Sequence, residues 1–381
     1  MKVTILHPFT PKAAGVVEKS VPTYHSQPHV KAMSNLARQK GYTCSMEYFT
    51  PKIVRYSTSD AVLKWDFFPV KLTFNGDHKK WKKQFSNSCL KQYEKETPDV
   101  SIINMSGHSS PFSYELSKVI LKKDKKYIAM LGGQHYTDSA WSRDYYKNAD
   151  HILVHTNMQK KAMEEMEMFK GLDIRVFPLG VDCEVFKPSS HGNAESDAPK
   201  LLYVGRIVQW KRVHLAIEAI HTLVQNGFPN ATLNIIGPVS SEEYLTELEE
   251  LVKKYNLSGN VFFLGHKEHA DLPRYFQEAD LFVLPSDKET FGMVMIESMS
   301  CGTPVAGINC PGGPADVIAN NVDGLLSSPE NYPNDILQLF KNKELLREMK
   351  SNARVKVLEK YSIEETTRVL FESVNSALSS I

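Results

Sequence analysis

The sequence predicts an α/β protein built of two similar halves. Three observations carry this. Short β-branched and aromatic runs alternate with helix-period segments along the whole chain, the pattern of parallel sheets flanked by helices. The alternation breaks once, at FPLGVDCEVFKPSSHGNAESDAPK, which has neither period and ends in a Ser, Gly, Asn, Asp and Pro-rich run. The length, 381 residues, suits two to three domains at roughly 150 residues each.

In the first half the predicted strands are residues 3–6, 43–49, 100–104, 127–131, 151–155 and 174–177. A helix over 28–40 is closed by Gly41 in the position of a C-cap, and Thr156 and Asn157 cap a helix running to about Phe169. The second series comprises strand 201–204, helix 213–226, strand 231–236, helix 242–255 and strand 261–264. Strand 281–284, a helix opening near Phe291, strand 304–308 and C-terminal helices complete it. The expected organisation is a first domain over 1–183, a linker over 184–199 and a second domain over 200–361. The helix at about 362–381 is expected to pack back on the first domain. In such folds ligands sit at the carboxyl ends of the strands, so a cleft between domains is the expected active site.

Composition narrows the class. The chain is 42% apolar and 23% charged with 20 Gly and 20 Pro, which excludes a disordered or fibrous protein. The longest apolar runs are far too short for a membrane span, and MKVTILHPFTP lacks the core and cleavage site of a secretory signal. A cytoplasmic protein, or one at the inner face of a membrane, is expected. Cys44, Cys89, Cys183, Cys301 and Cys310 are scattered with no C-x-x-C spacing, so reduced thiols are expected and a structural zinc site is not. The net charge of +1 hides an asymmetry: residues 1–180 hold 27 Lys and Arg against 17 Asp and Glu, and the remainder holds 18 against 27. A basic first half suits an acidic ligand or an anionic surface, or reflects only different solvated faces.

The most informative segment is LFVLPSDKETFGMVMIESMSCGTPVAG, a buried strand running through a polar loop into a helix. The unpaired amides at that helix start favour an anion, and Gly292 lets a phosphate approach the backbone. Glu289 and Glu297 stand eight residues apart, at most about 12 Å along a helix, similar to the span from sugar to ribose in a nucleoside diphosphate sugar. Each carboxylate can accept hydrogen bonds from a vicinal diol. Two solvated acids on a capped helix would leave the same pattern. In LLYVGRIVQWKR, Gly205 and Arg206 follow an apolar strand and Lys211 starts a helix, placing a guanidinium fork and an ammonium where a diphosphate could be met.

Taken together these segments resemble the retaining, nucleotide-sugar-dependent glycosyltransferases of the GT-B fold, in the large family numbered four (glycosyl transferases group 1). The resemblance covers most of the chain and is most specific in the second half. Its linker signature is matched by Phe177, Pro178, Gly180, Val181, Asp182, Phe186 and Pro188; its Glu-x7-Glu motif by Glu289 and Glu297; its Gly-x-Pro-Val by Gly302, Pro304 and Val305. It implies two Rossmann-like domains facing each other across a cleft. It also implies that Arg206 and Lys211 hold the donor diphosphate, that Glu289 holds sugar hydroxyls near the reacting carbon, and that Glu297 binds ribose. Thr290, Phe291, Gly292 and Met293 would line the donor, while Gly265 and His266, after Phe263 and Leu264, look like the loop that reads the base. The chain departs from the family pattern at Thr290, where a small residue is usual, and at Gly15, which stands alone where the donor-side loop usually has two glycines. The family often places a site histidine after the strand here at 127–131; GGQHYTD supplies His135 beside Gly132 and Gly133, with His108 a lesser candidate.

No Asp-x-Asp occurs, so metal-independent transfer with no cofactor is expected, the leaving charge being met by Arg206, Lys211 and the helix start. HKKWKKQFSNSCLKQYEK, from His78, sets lysines around Trp81 with Phe85, Cys89 and Tyr93 at helical spacing. Residues 78–93 are either a peripheral contact with an anionic membrane or a helix packing its aromatic side into its own domain, the latter slightly favoured. The expected partners are a nucleotide-sugar donor, with UDP-hexose first, and a glycan, lipid-linked or small-molecule acceptor; no nucleic-acid motif is present. A sugar-nucleotide epimerase, a phosphorylase and a non-catalytic nucleotide-sugar-binding subunit are the alternatives on the same fold.

Overall fold

The computed structural model describes residues 1–23, 28–71, 83–105, 109–133, 136–190, 198–310 and 312–379. The chain divides into two compact units, Met1–Leu179 with Ile363–Ile381, and Gly180–Ser362. The change of unit falls at Leu179, a few residues before the predicted linker. The reason is local: Phe186 is buried, and its carbonyl accepts from Ser300 Oγ and Arg354 Nη1, while Val181 N donates to the Tyr361 carbonyl. The stretch before residue 191 is therefore packed into the second unit, and 191–197 lie outside the described residues.

The first unit is an eight-stranded sheet formed by β1 (Lys2–His7), β2 (Thr43–Thr50), β3 (Tyr56–Ser59), β4 (Lys64–Pro69), β5 (Val100–Met105), β6 (Lys126–Leu131), β7 (Ile152–Val154) and β8 (Ile174–Val176), in the order β3-β4-β2-β1-β5-β6-β7-β8. Every described pairing is parallel except β3 with β4. Side chains alternate between two cores as the period of two requires. Val3 and Ile5 join Met33, Leu36, Met46 and Ile102 on one face, and Leu6 joins Phe49, Ile103 and Phe112 on the other. Helix α1 (Pro28–Lys40) and the C-terminal helix Ile363–Ser379 bury their apolar sides in the first of these cores. Gly41 follows α1 with φ 66°, the left-handed cap its position implies.

Helix α2 (Asn87–Lys95) starts at the Ser86 cap, well inside the predicted 78–93 segment. Cys89 and Tyr93 are buried and Phe85 meets Phe112 edge to face with centroids 5.3 Å apart, so the described part of the aromatic stripe packs into its own domain. Lys79, Lys80, Trp81 and Lys82 lie outside the described residues.

The second unit is a six-stranded, wholly parallel sheet: β9 (Lys200–Val204), β10 (Thr232–Ile236), β11 (Val261–Gly265), β12 (Leu281–Leu284), β13 (Val305–Ile308) and β14 (Gly324–Ser327), in the order β11-β10-β9-β12-β13-β14. In sequence order within the unit this is 3-2-1-4-5-6, the dinucleotide-binding order, whose direction of winding reverses between β9 and β12. Leu201, Tyr203, Leu233, Ile235 and Val283 pack under the helices Val213–Gln225 and Tyr332–Lys341. The reversal leaves a crevice outside the carboxyl ends of β9 and β12, because the flanking helices depart to opposite faces there.

Candidate active site

Two loops meet at that switch point. Residues 205–212 follow β9, and residues 285–292 follow β12 and lead into the helix Met293–Ser300. Arg206 and Lys211 lie on the first loop; Glu289, Thr290, Phe291 and Gly292 lie on the second. The helix opens at Met293, two residues later than predicted, because Gly292 takes φ 82° at its N-cap. Gly265 and His266, at the end of β11, are exposed on the same side of the sheet two strands away.

The loops are joined by charge and by backbone. Lys211 Nζ pairs with Glu289 Oε1, both side chains being only 11% exposed, and Arg212 Nε pairs with Asp287 at 2.5 Å. Asp287 N donates to the Trp210 carbonyl at 3.0 Å. The half-buried Trp210 indole has Lys211 Nζ 4.5 Å, the Arg206 guanidinium 5.4 Å and Lys288 Nζ 5.9 Å from its ring centroid. Three cations thus share one ring, a cation–π arrangement that holds positive charge at the mouth of the crevice. Arg206 itself is exposed, while its carbonyl accepts from the buried Tyr203 hydroxyl at 2.8 Å. Burial, with the charge of Glu289 second, pushes the Tyr203 phenol up in pKa, so it stays a donor.

Glycines bring the backbones close. Gly237, just after β10, has φ 146°, and a Cβ there would lie 1.9 Å from the Gly205 carbonyl oxygen. Behind Glu289, Gly313 N donates to the Glu289 carbonyl at 2.9 Å, and a Cβ on Gly312 would fall 1.8 Å from that same oxygen. The backbone of Glu289 is therefore held by a neighbour that tolerates no side chain. Cys310, in the loop behind it, is a buried thiol whose pKa is raised by burial first and by Glu289 second.

Glu297 is not a solvated acid. It sits on the helix Met293–Ser300 at 3% exposure; Oε1 lies 2.9 Å from His269 Nε2, and Oε2 is buried with no hydrogen-bond partner among the described residues. The Ser286 hydroxyl, fully buried in the loop after β12, is likewise unpartnered among them. An ionised oxygen so enclosed is stabilised by a donor, so it marks where a hydroxyl could bind.

Residues 187–356 match the family model described as glycosyl transferases group 1. This stretch is a group 1 glycosyl transferase domain. A D-inositol 3-phosphate glycosyltransferase from Corynebacterium urealyticum is 29% identical over 245 residues, covering 60% of this chain and 57% of that protein. A glycogen synthase from Mycobacterium tuberculosis is 31% identical over 159 residues, covering 42% and 37%. The chain thus spans about half the length of the curated relatives it matches. Among solved structures, a sucrose-phosphate synthase from Thermosynechococcus elongatus has a TM-score of 0.73 at 18% identity and covers 100% of both chains. HepE from Anabaena, in complex with UDP, has a TM-score of 0.72 at 16% identity, covering 99% of this chain and 100% of that one. At these identities the likeness establishes the fold, two Rossmann-like domains of the GT-B type.

The group 1 domain brings together Arg206, Lys211, Gly265, His266, Thr290, Phe291, Gly292, Met293, Glu289 and Glu297 at one end of one sheet. Gly15 belongs to the first unit, where it closes a short turn at φ 75°; His135 and His108 lie outside the described residues. Sequence reasoning missed Trp210, Arg212, Gly237, His269 and the Gly312–Gly313 pair of the group 1 domain, each of which acts through a partner distant in sequence. In the first unit it missed a buried group at the carboxyl ends of β1, β5 and β7. His7 Nε2 lies 3.1 Å from both His29 Nε2 and Asn104 Nδ2, and the His7 ring stacks on Tyr48 at 4.2 Å. His155 Nδ1 lies 3.1 Å from the Phe177 carbonyl oxygen. Burial first, then the neighbouring imidazole, drives His29 down to about 3 and His7 well below its ordinary range, and burial lowers His155 as well. No set of three or more His, Cys, Asp or Glu among the described residues is disposed to hold a metal. Among them, too, no helix is long and apolar enough to cross a membrane.

Proposed function

We propose that this protein is a retaining glycosyltransferase that moves a sugar, with UDP-hexose as the first donor to test, to a glycan, glycolipid or small-molecule acceptor without a metal ion. The carrying observation is the Lys211–Glu289 pair at the switch point of a parallel sheet, with Arg206 on the loop of Lys211 and Glu297 on the helix that follows Glu289. The relatives' names support transfer to an acceptor, and the HepE complexes with UDP and with UDP-glucose support the donor class.

In this reading Arg206 and Lys211 neutralise the donor diphosphate, Glu297 takes a ribose hydroxyl, and Glu289 orients sugar hydroxyls beside the anomeric carbon. Gly265 and His266 face the base; Thr290, Phe291, Gly292 and Met293 line the donor. Gly15 and His135, both in the first half of the sequence, are the remaining candidates of this reading. The bond between the anomeric carbon and the phosphate oxygen breaks, and its electron pair leaves with the phosphate. The acceptor oxygen attacks the face just vacated and passes its proton to a donor phosphate oxygen, so no separate protein base is needed. Positive character at the sugar is stabilised by the Glu289 carboxylate, the kind of fixed electrostatic contact worth most at a departing phosphate. Lys211 exchanges its pairing with Glu289 for the diphosphate as donor enters. The proposed setting is the cytoplasm or the inner face of a membrane, where lipid-linked acceptors are met.

The test is product analysis in excess EDTA. Transfer that persists, with the donor's anomeric configuration kept by NMR, is the expected result. Inversion, or activity restored only by added Mg²⁺ or Mn²⁺, would overturn the respective half of the proposal.

A further inference from the structure

We propose that His269 is a positioning residue for the donor ribose: it binds one oxygen of the Glu297 carboxylate and so turns the other toward the ribose hydroxyls. This rests on the donor reading above and assigns the residue that makes Glu297 usable.

The two oxygens of Glu297 have different fates. Oε1 lies 2.9 Å from His269 Nε2, whereas Oε2 is buried and meets no partner among the described residues. An ionised carboxylate only accepts, so Nε2 carries the proton and donates. A carboxylate with no donor would be costly at 3% exposure and would rotate to find one. The histidine fixes that rotation, leaving one oriented acceptor. The imidazole is itself held. It packs against the buried Phe186 ring at 5.2 Å between centroids, and the Phe186 carbonyl accepts from Ser300 Oγ at 2.5 Å and Arg354 Nη1 at 3.0 Å. His269 is 31% exposed, so it stands at the rim, with the carboxylate beneath it. The residue lies just beyond the end of β11, the strand whose loop carries Gly265 and His266, so it is close in the chain to the proposed base-reading segment. A vicinal diol suits such a site because its donors can satisfy an acceptor whose only other contact is taken.

The experiment titrates UDP, GDP and ADP into the parent protein by calorimetry, then takes each that binds together with its 2′,3′-dideoxy counterpart. The same pair is titrated into His269→Ala and His269→Gln, whose folding is checked by thermal melting. The parent is expected to bind the ribose form about tenfold more tightly than the dideoxy form, the size of one hydrogen bond to a charged group. In His269→Ala that ratio should shrink to about threefold or less, and His269→Gln, which keeps a donor, should restore most of it. In turnover with the matching nucleotide sugar, His269→Ala should raise donor KM and leave kcat nearly unchanged. Equal ratios in parent and His269→Ala, or no rescue by Gln, would overturn the proposal, as would a parent that binds both forms alike. A parent that binds no nucleoside diphosphate would overturn the donor reading itself. Should the Ala variant fail to fold, the Gln variant still decides: a ratio near the parent's supports the role, and a collapsed ratio contradicts it.

Discussion

Glu289→Gln keeps the shape of the side chain and removes its charge, so its consequences can be worked out in advance. The carboxylate pairs with Lys211, and both side chains are 11% exposed. Removing one member of a buried pair costs about 3–5 kcal/mol. The neutral acceptor that Gln retains recovers about 1 kcal/mol of this, leaving a loss of about 2–4 kcal/mol. At about 2–4 °C per kcal/mol for a unit of this size, the melting temperature should fall by roughly 5–15 °C. In the proposed transfer the same charge stabilises the sugar as the phosphate leaves, so kcat should fall about a hundredfold or more. Donor affinity should hold or tighten, because Lys211 is released to the diphosphate. Steady-state kinetics and calorimetry on one preparation, well below the lowered melting temperature, give all three numbers. A kcat within threefold of the parent, or donor binding weakened as much as kcat, would refute the assignment of Glu289 to the reacting sugar.

The first domain should be acid-labile. His7, His29 and His155 have folded pKa values depressed below their ordinary 6.5, His29 to about 3. Their stabilising contribution is therefore complete above pH 6.5 and lost below it, about 1.4 kcal/mol per histidine per pH unit. Glu47, buried and raised to about 7 mainly by desolvation, works the other way, gaining stability as pH falls from 7 toward 4.5. His151, also lowered by burial, adds to the histidines' side, so the balance is a net loss of stability as pH falls from 7 to 5; urea midpoints should fall accordingly, and a midpoint that stays level or rises would contradict the reasoning. Gly237→Ala should destabilise the second unit by at least about 1–3 kcal/mol from backbone strain alone, and more from the contact with the Gly205 carbonyl. A melting temperature equal to the parent's would show that the strand ends are not as close as described.

Much of this was legible in the chain because local chemistry agreed with the fold. The αL cap at Gly41, the apolar strands at 201–204 and 281–284, and the polar loops after them are written in consecutive residues. Strand β4 was not foreseen because Asp66 interrupts KWDFFP; it is buried there only through Arg55, Lys64 and Ser57. Strand β14 was missed because four residues beginning with Gly carry little pattern. The candidate site positions could be named from the chain, but not their surroundings. Lys211 reads as an exposed cation at a helix start, yet it is buried against Glu289, 78 residues away in sequence. The same holds for His269 and Glu297, 28 residues apart, since no local period links a histidine in the turn after β11 to a carboxylate in the helix after β12. The aromatic spacing of 85, 89 and 93 fits both a membrane-facing and a core-facing helix; packing against Phe112 decides for the core.

The central claim is that the carboxyl end of the second sheet, between β9 and β12, binds a nucleoside diphosphate through its cations. Arg206 tests it most directly, since its guanidinium is exposed and exposed side chains away from core packing contribute little to stability. UDP, GDP and ADP titrated by calorimetry into the parent and into Arg206→Ala should show one nucleotide bound by the parent and held at least about tenfold more weakly by the variant, the worth of a charge-assisted contact. Equal affinity in the two proteins, or no binding of any of the three by the parent, would contradict the account.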